Sequence, residues 1–364
     1  MTHPLFTPTR LGDIEVANRI AMAPMTRSRA VDETDVAKPM VAEYYAQRAS
    51  AGLLITEAAQ ISPQGKGYGW TPGIYSDEQV AAWKEVTDAV HAKGGKIVIQ
   101  LWHVGRISHS DIQPDGQQPV SSAPVTPNVK TYYKAGFVPA SQPRALRTDE
   151  IAGVVADYAR AAENAIKAGF DGVEIHAANG YLIDQFLKDQ INDRDDAYGG
   201  SVENRARLMV EVVDAITRAI PAGRVGIRLS PFSGANDLTD SDPMTTFSYA
   251  IKQLSGRGLA FLHMVEGQTG GSRELAEGQS IEELRALFDG PYIANNGYDR
   301  DMAMKAVESG AAEMVAIGRP YIANPDLVER YEANAPLNEA DPKTIYGGAE
   351  GGYIDYPTLE TAKA

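Results

Sequence analysis

Short continuous apolar runs alternate with amphipathic stretches along almost the whole chain. The runs are RIAMAPM (19–25), GLLITEA (52–58), KIVIQLW (96–102), the start of FDGVEIHAANGYLIDQFL (170–187), VGIRLSP (225–231), AFLHMVE (260–266), PYIANNG (291–297) and EMVAIGRP (313–320). Runs that are apolar without alternation mark strands covered on both faces of a parallel sheet. Between them, helical periodicity falls around residues 38–51, 77–92, 149–168, 201–216, 279–288 and 299–309, with Asp77 placed to cap the second of these. About eight strand–helix units predict a (β/α)8 barrel, one domain spanning 1–364. A doubly wound open sheet is the alternative. The unit count and the lack of a composition break favour the barrel.

Before the first unit, LFTPTRLGDIEVANRI predicts a hairpin turning at Gly12-Asp13. Two connections are too long for plain loops. Residues 103–147, rich in Pro, Ser and Gln, are expected to form a small capping subdomain over the barrel mouth after the third strand. Residues 188–200 follow the fourth unit.

Composition narrows the chemistry. The chain has 364 residues and no cysteine, which removes disulfides, zinc–cysteine sites, iron–sulfur clusters and thiolate catalysis together. A net charge of −14 argues against nucleic acid or an anionic membrane as partner, so any phosphate must be held by local donors. No basic start and apolar run of a signal peptide opens the chain, and no segment reaches the roughly 18 apolar residues of a membrane span. The expectation is a cytoplasmic protein.

Chemistry-bearing residues then stand out where they interrupt apolar runs. Gln100, Arg228 and His263 lie within the third, fifth and sixth strands. Arg228 is either a ligand for something electron-rich in the mouth or half of an ion pair with Glu57 or Glu174. Thr26 ends the first strand, as a site residue or as a cap. Tyr68 and Trp102 are pocket wall or core. His103 and His109, six apart in a polar loop, do not make a metal spacing and are expected as surface or loop residues, and the glycines of QGKGYGW (64–70) open no helix, so they are a weak nucleotide signal. Asn295-Asn296-Gly297 and Gly318-Arg319-Pro320 follow the seventh and eighth strands, where barrels commonly hold phosphate.

The turn carrying His176, Asn179 and Tyr181 is the densest candidate. Two donors three residues apart, His176 and Asn179, can converge on one oxygen and stabilise charge developing there. Tyr181 suits delivery of a proton to a carbanion-like centre. No nucleophile or metal cluster accompanies them. The turn polarises and protonates, and electrons must come from elsewhere.

Seven motifs, NRIAMAPMTRSRA, EYYAQRASAGLLITEA, QLWHVGR, GFDGVEIHAANGYLIDQFL, DRDDAYGGSVENRARLMVEVVDAI, AIGRPYIANPDL and GGYIDYP, occur in this order. Together they resemble the Old Yellow Enzyme family of FMN-dependent ene reductases over nearly the full length. The resemblance implies a tightly but non-covalently bound FMN across the mouth. Pro24, Met25 and Thr26 would contact its ring, Ala58 (through its backbone), Gln100 and Arg228 its pyrimidine side, and Asn296, Gly297, Gly318 and Arg319 its phosphate. His176 and Asn179 would bind the substrate's activating oxygen, Tyr181 would be the proton donor, and Tyr68, Trp102 and Tyr346 would wall the pocket. NADPH, or NADH, would reduce the flavin. The flavin would then pass hydride to the β-carbon of an enone, nitroalkene or maleimide. Nitro or nitrate-ester reduction, or phenol and steroid binding with little turnover, is the alternative. Departures from the family pattern are few: Asn179 stands where some branches carry His, Gly267 where Pro is expected, and Ile354 where Thr is common. Monomer and homodimer both remain open.

Overall fold

The computed structural model describes residues 2–134 and 136–361. Eight parallel strands close into a barrel in sequence order: Ile20–Met22, Leu53–Gln60, Ile97–Trp102, Gly172–Ala177, Val225–Leu229, Phe261–Val265, Tyr292–Asn295 and Met314–Ile317. This is the (β/α)8 barrel expected from the pattern. Helices that follow or precede the strands form the outer ring, the longest being Asp77–His91, Thr148–Lys167 and Val202–Ala219. Ser76, not Asp77, caps the first of these: its hydroxyl accepts from Gln79 N while the Gln79 side chain accepts from Ser76 N. Asp77 takes the next position, where its charge still suits the helix dipole. Among the described residues no helix is long and apolar enough to cross a membrane.

Several elements are shorter than the pattern predicts. The first strand stops at Met22 because the apolar run continues as Ala23, Pro24 and Met25 along a cavity wall. The helices expected at 38–51 and 279–288 are Met40–Ala46 and Ile281–Arg285. The second strand instead runs on to Gln60, with a register shift between Ile55 and Ala58 that re-aims its mouth end.

Alternation along each strand sorts the side chains. Ile99, Leu101, Val173, Ile175, Ile227 and Leu229 face the helices in the large outer core. The inward positions form a second cluster at one end, including Ala21, Leu53, Ile55, Val98, Phe261, Ile293 and Met314. The predicted hairpin, Thr9–Leu11 paired with Ile14–Val16, closes that end by adding Leu11, Ile14 and Val16 to the cluster. Its turn needs glycine at position 12, where φ is +55° and a Cβ would fall 2.4 Å from the Gly223 carbonyl oxygen. At the other end the inward positions turn polar: Gln100, Glu174, His176, Arg228, His263 and Asn295.

Residues 103–147 contain two single 3-10 turns, a short parallel pairing of Val120–Ser121 with Arg144–Ala145, and an antiparallel hairpin of Lys130–Tyr133 with Gly136–Pro139. The buried Arg106 side chain ties the segment's start to its middle and to the loop after the fifth strand, donating to the carbonyls of Val125, Asn236 and Asp237.

Candidate active site

His176 is the last but one residue of the fourth strand and stands in register with Arg228 on the fifth, which is in register with His263 on the sixth. Its ring is buried, and Nδ1 accepts the Ala178 amide at 3.3 Å, so the neutral ring carries its proton on Nε2. Burial, with help from the Arg228 cation and from His263, holds its pKa well below the ordinary value. His176 is therefore a neutral N–H donor across the physiological range.

The chain then reverses through two left-handed residues, Asn179 (φ +58°) and Gly180 (φ +76°). A Cβ at Gly180 would fall 2.4 Å from the Ala235 carbonyl oxygen, so only glycine fits. The turn is pinned by Asn179 N donating to Ser230 Oγ (2.7 Å), Asn236 Nδ2 donating to Asn179 O (2.8 Å) and Gly180 N donating to Asp184 Oδ2 (2.9 Å). Asp184 is itself paired with Lys188 in a fully buried bridge at 3.1 Å, and Lys188 also donates to the carbonyls of Ser230 and Ser233.

This turn delivers Tyr181 against an aromatic wall. Its ring meets His176 and Trp102 edge-on, both with centroids 4.9 Å apart, and its hydroxyl lies 3.2 Å from that of Tyr68. Trp102 stacks between Tyr68 and His176 at 5.8 and 6.2 Å. Burial raises the Tyr181 phenol above its ordinary pKa, with the Tyr68 hydrogen bond pulling the other way. Tyr181 is thus protonated and available as a donor. Tyr68, Tyr181, Thr26 and Tyr346 line a cavity of about 210 Å³, joined by Ser28, Tyr132 and Phe137, which sequence reasoning did not single out. Tyr132 and Phe137 come from the hairpin of the 103–147 segment. Thr26 caps no helix in the structure, since Pro39 occupies the next N-cap position.

Beside it, a second cavity of about 450 Å³ is lined by Pro24, Met25, Arg228, Asn296, Gly297, Gly318 and Arg319, together with Thr269. Arg228 makes no ion pair among the described residues. Nη2 donates to Asn295 Oδ1 at 2.7 Å, and Nε is buried without a partner. Glu174 is taken instead by Gln100 Nε2 and His263 Nδ1, both at 2.7 Å, while Glu57 accepts the amides of Arg27 and Ser28. The ion-pair reading of Arg228 fails on this geometry, which leaves a buried cation facing the cavity. Gly297 has φ +67° and open space where a Cβ would project, so backbone N–H groups there are accessible to an anion. A Cβ at Gly318 would make only ordinary contact, 3.6 Å from Met25 Sδ, and Arg319 reaches the Gly270 carbonyl at 2.8 Å. The Asn296 side chain is already spent on the carbonyls of Glu266 and Gln268, so any ligand contact there falls to its backbone. Ala58 packs with Trp102, Val104 and Ile107, against which Tyr68 and Tyr181 also pack.

His103 lies in the loop after the third strand, as one of the two expected placements has it. It is buried, not on the surface, because the segment that follows folds back over it, and burial pushes its pKa down to about 3. His109 is half-buried and accepts the Asp111 amide.

An unpaired buried guanidinium, an anion-accepting backbone turn and a slot between them fit a flavin mononucleotide, and the class defined is a flavin-dependent oxidoreductase barrel. Residues 4–338 match the NADH:flavin oxidoreductase / NADH oxidase family. The chain is 50% identical to 12-oxophytodienoate reductase 1 of Oryza sativa subsp. japonica, across 98% of this chain and 93% of the rice protein. Among solved structures, morphinone reductase in complex with tetrahydroNAD superposes with a TM-score of 0.92 at 49% identity, covering 99% of each chain. The old yellow enzyme homologue from Zymomonas mobilis gives 0.93 at 45% identity, covering 98% of this chain and 99% of that one. The chain belongs to the Old Yellow Enzyme family.

Proposed function

We propose that this protein reduces activated C=C bonds, in α,β-unsaturated carbonyls, nitroalkenes and maleimides, with electrons drawn from a nicotinamide through FMN. The observation that carries the reading is the neutral His176 with its Nε2 proton free, on one turn with Asn179 and edge-on to the protonated Tyr181, which lines a cavity. Bound FMN supplies the hydride. Arg228 and Gln100 would hold its pyrimidine side, Arg228 stabilising negative charge there. Gly297, Gly318 and Arg319 would hold its phosphate, and Thr26 would lie along its ring.

His176 and Asn179 would grip the substrate's carbonyl or nitro oxygen and favour charge moving onto it. Two such donors in a low-dielectric wall typically contribute a few kcal/mol of transition-state stabilisation. Tyr181 would donate its phenolic proton to the α-carbon, with Tyr68 hydrogen-bonded behind it to stabilise the developing phenolate. Trp102 and the Tyr68 ring keep water off the reacting face.

Purified protein should be yellow and should bleach anaerobically on adding NADPH or NADH; running both reductants in parallel fixes the preference. Enones, nitroalkenes and a maleimide should then restore the colour with loss of their C=C bonds. Bleaching with no reoxidation by any of them, but by nitro groups or nitrate esters, would move the reading to nitro reduction. Tight phenol or steroid binding without turnover would make it a binding protein.

A further inference from the structure

Asn179 can polarise a substrate oxygen only if its amide nitrogen, not its amide oxygen, faces that oxygen. Side-chain oxygen and nitrogen are told apart by the network around them. Here the network is a chain of hydroxyls that begins on backbone. Ser233 Oγ is buried and accepts two amides, from Ala235 and Thr269, each at 3.2 Å. A hydroxyl has two lone pairs and one proton. With both lone pairs taken, the Ser233 proton must go to its third neighbour, Thr269 Oγ1, at 2.7 Å. Thr269 then has one proton of its own, and the remaining acceptor is Asn179 Oδ1, also at 2.7 Å. The reversed amide would give up the 2.7 Å acceptor, turn the exposed Thr269 proton out to solvent and set an oxygen against the substrate's oxygen.

We propose that Thr269 is a positioning residue for the reduction. Oriented by Ser233, it holds the Asn179 oxygen and thereby fixes Nδ2 as the second donor of the oxygen site. Nδ2 makes no hydrogen bond among the described residues, which leaves it free for that role. The inference rests on the oxygen-site reading of Asn179. It also explains how a neutral amide, which is as good an acceptor as a donor, is committed to donating. Thr269 lies 90 residues from Asn179 in sequence, in the loop after the sixth strand. That loop also lines the cavity of Gly297 and Arg319, so the same segment borders both halves of the site.

The test uses the flavin-loaded enzyme and a para-substituted phenol, titrated through the change in flavin absorbance. Thr269→Val keeps the shape and removes the hydroxyl; phenol affinity should fall about fivefold, the weight of one lost hydrogen bond. Thr269→Ser should return it to within about twofold of the parent, since the hydroxyl is retained. In an Asn179→Ala background, Thr269→Val should produce no further loss. Equal losses in both backgrounds would show that Thr269 acts by another route and would overturn the proposal. A loss on Asn179→Ala with none on Thr269→Val would overturn it while leaving the oxygen site standing. No loss on Asn179→Ala would remove the oxygen-site reading itself, and the proposal with it.

Discussion

The two ends of the barrel interior are built from the same eight strands with the same inward alternation, yet their contents are opposite. At the floor, Ala21, Leu53, Val98, Phe261, Ile293 and Met314 pack with the hairpin into a dry cluster. At the mouth, two residues further along, the inward positions of the third to seventh strands are Gln100, Glu174, His176, Arg228, His263 and Asn295. The floor has what stability asks for: apolar side chains and no polar atom to satisfy. The mouth has what stability resists: among the described residues, a buried arginine with no acid at ion-pair distance and a buried His263 Nε2 without a partner. A fold tolerates such groups where a ligand completes them. If the division is sound, floor substitutions should change stability alone, and mouth substitutions should change ligand handling with stability held or improved.

The largest effect belongs to the floor. The Phe261 ring covers Gly226, where even a Cβ would come within 2.2 Å of it. Phe261→Ala should cost about 3–5 kcal/mol in denaturant unfolding, with and without flavin, and leave the bound-flavin spectrum unchanged. A loss confined to the flavin-free protein would break the comparison.

The mirror experiment is Arg228→Met. Removing an unpaired buried cation should leave the flavin-free protein as stable or more so, while flavin affinity drops about a hundredfold, the weight of roughly 3 kcal/mol of charge-assisted hydrogen bonding. Flavin fluorescence on dilution reads the affinity and thermal unfolding reads the fold. Destabilisation on the scale of Phe261→Ala would make Arg228 structural. Tyr181→Phe is the matching test of chemistry. It should slow enone reduction about a hundredfold and leave flavin reduction by the nicotinamide nearly intact, as expected for loss of a general acid.

Glu57 gives the comparison a pH dimension. It lies near the mouth end of the second strand, and burial raises its pKa to about 7 despite the amides of Arg27 and Ser28. The folded value lies above the unfolded one, so its contribution is fully present below about pH 4.5 and is lost as pH rises through 7. Between those limits stability should fall by about 3 kcal/mol. Glu57→Gln should flatten that slope and raise the melting temperature at pH 8. An unchanged slope would show that Glu57 stays ionised in the fold.

How much of this was readable in the chain follows from the same physics. Strands buried on both faces declare themselves as apolar runs, so the barrel and its hairpin were legible. Gln100, Arg228 and His263 were legible because each is a polar group interrupting such a run. Strand ends were not, since Pro24 and Met25 are as apolar in a cavity wall as in a strand. The burial of His103 was not legible because it depends on the segment that follows folding back over it, although Trp102 and Val104 on either side are apolar. Thr269 and Ser233 carried no signal: small hydroxyls in polar loops have no period, and their partners lie 36 and 90 residues away.

The smallest expected effect is at the rim. Tyr346 is 54% exposed, and Phe137 opposite it 65%, yet both line the cavity that holds Tyr181. The backbone around Tyr346 is held independently of its ring. Arg27 and Arg29, both buried, donate to the carbonyls of Thr344, Ile345, Ala349 and Gly352. Tyr346→Ala should therefore leave stability within about 0.5 kcal/mol of the parent. The ring can matter only by contact with a substrate large enough to reach it. KM for a polycyclic enone should rise about threefold, the cost of losing part of an exposed apolar contact, with kcat and the KM for a small nitroalkene unchanged. A kcat that fell for both substrates would mean that the rim reaches the reacting atoms, and the line between mouth and rim would have to be redrawn at Tyr68.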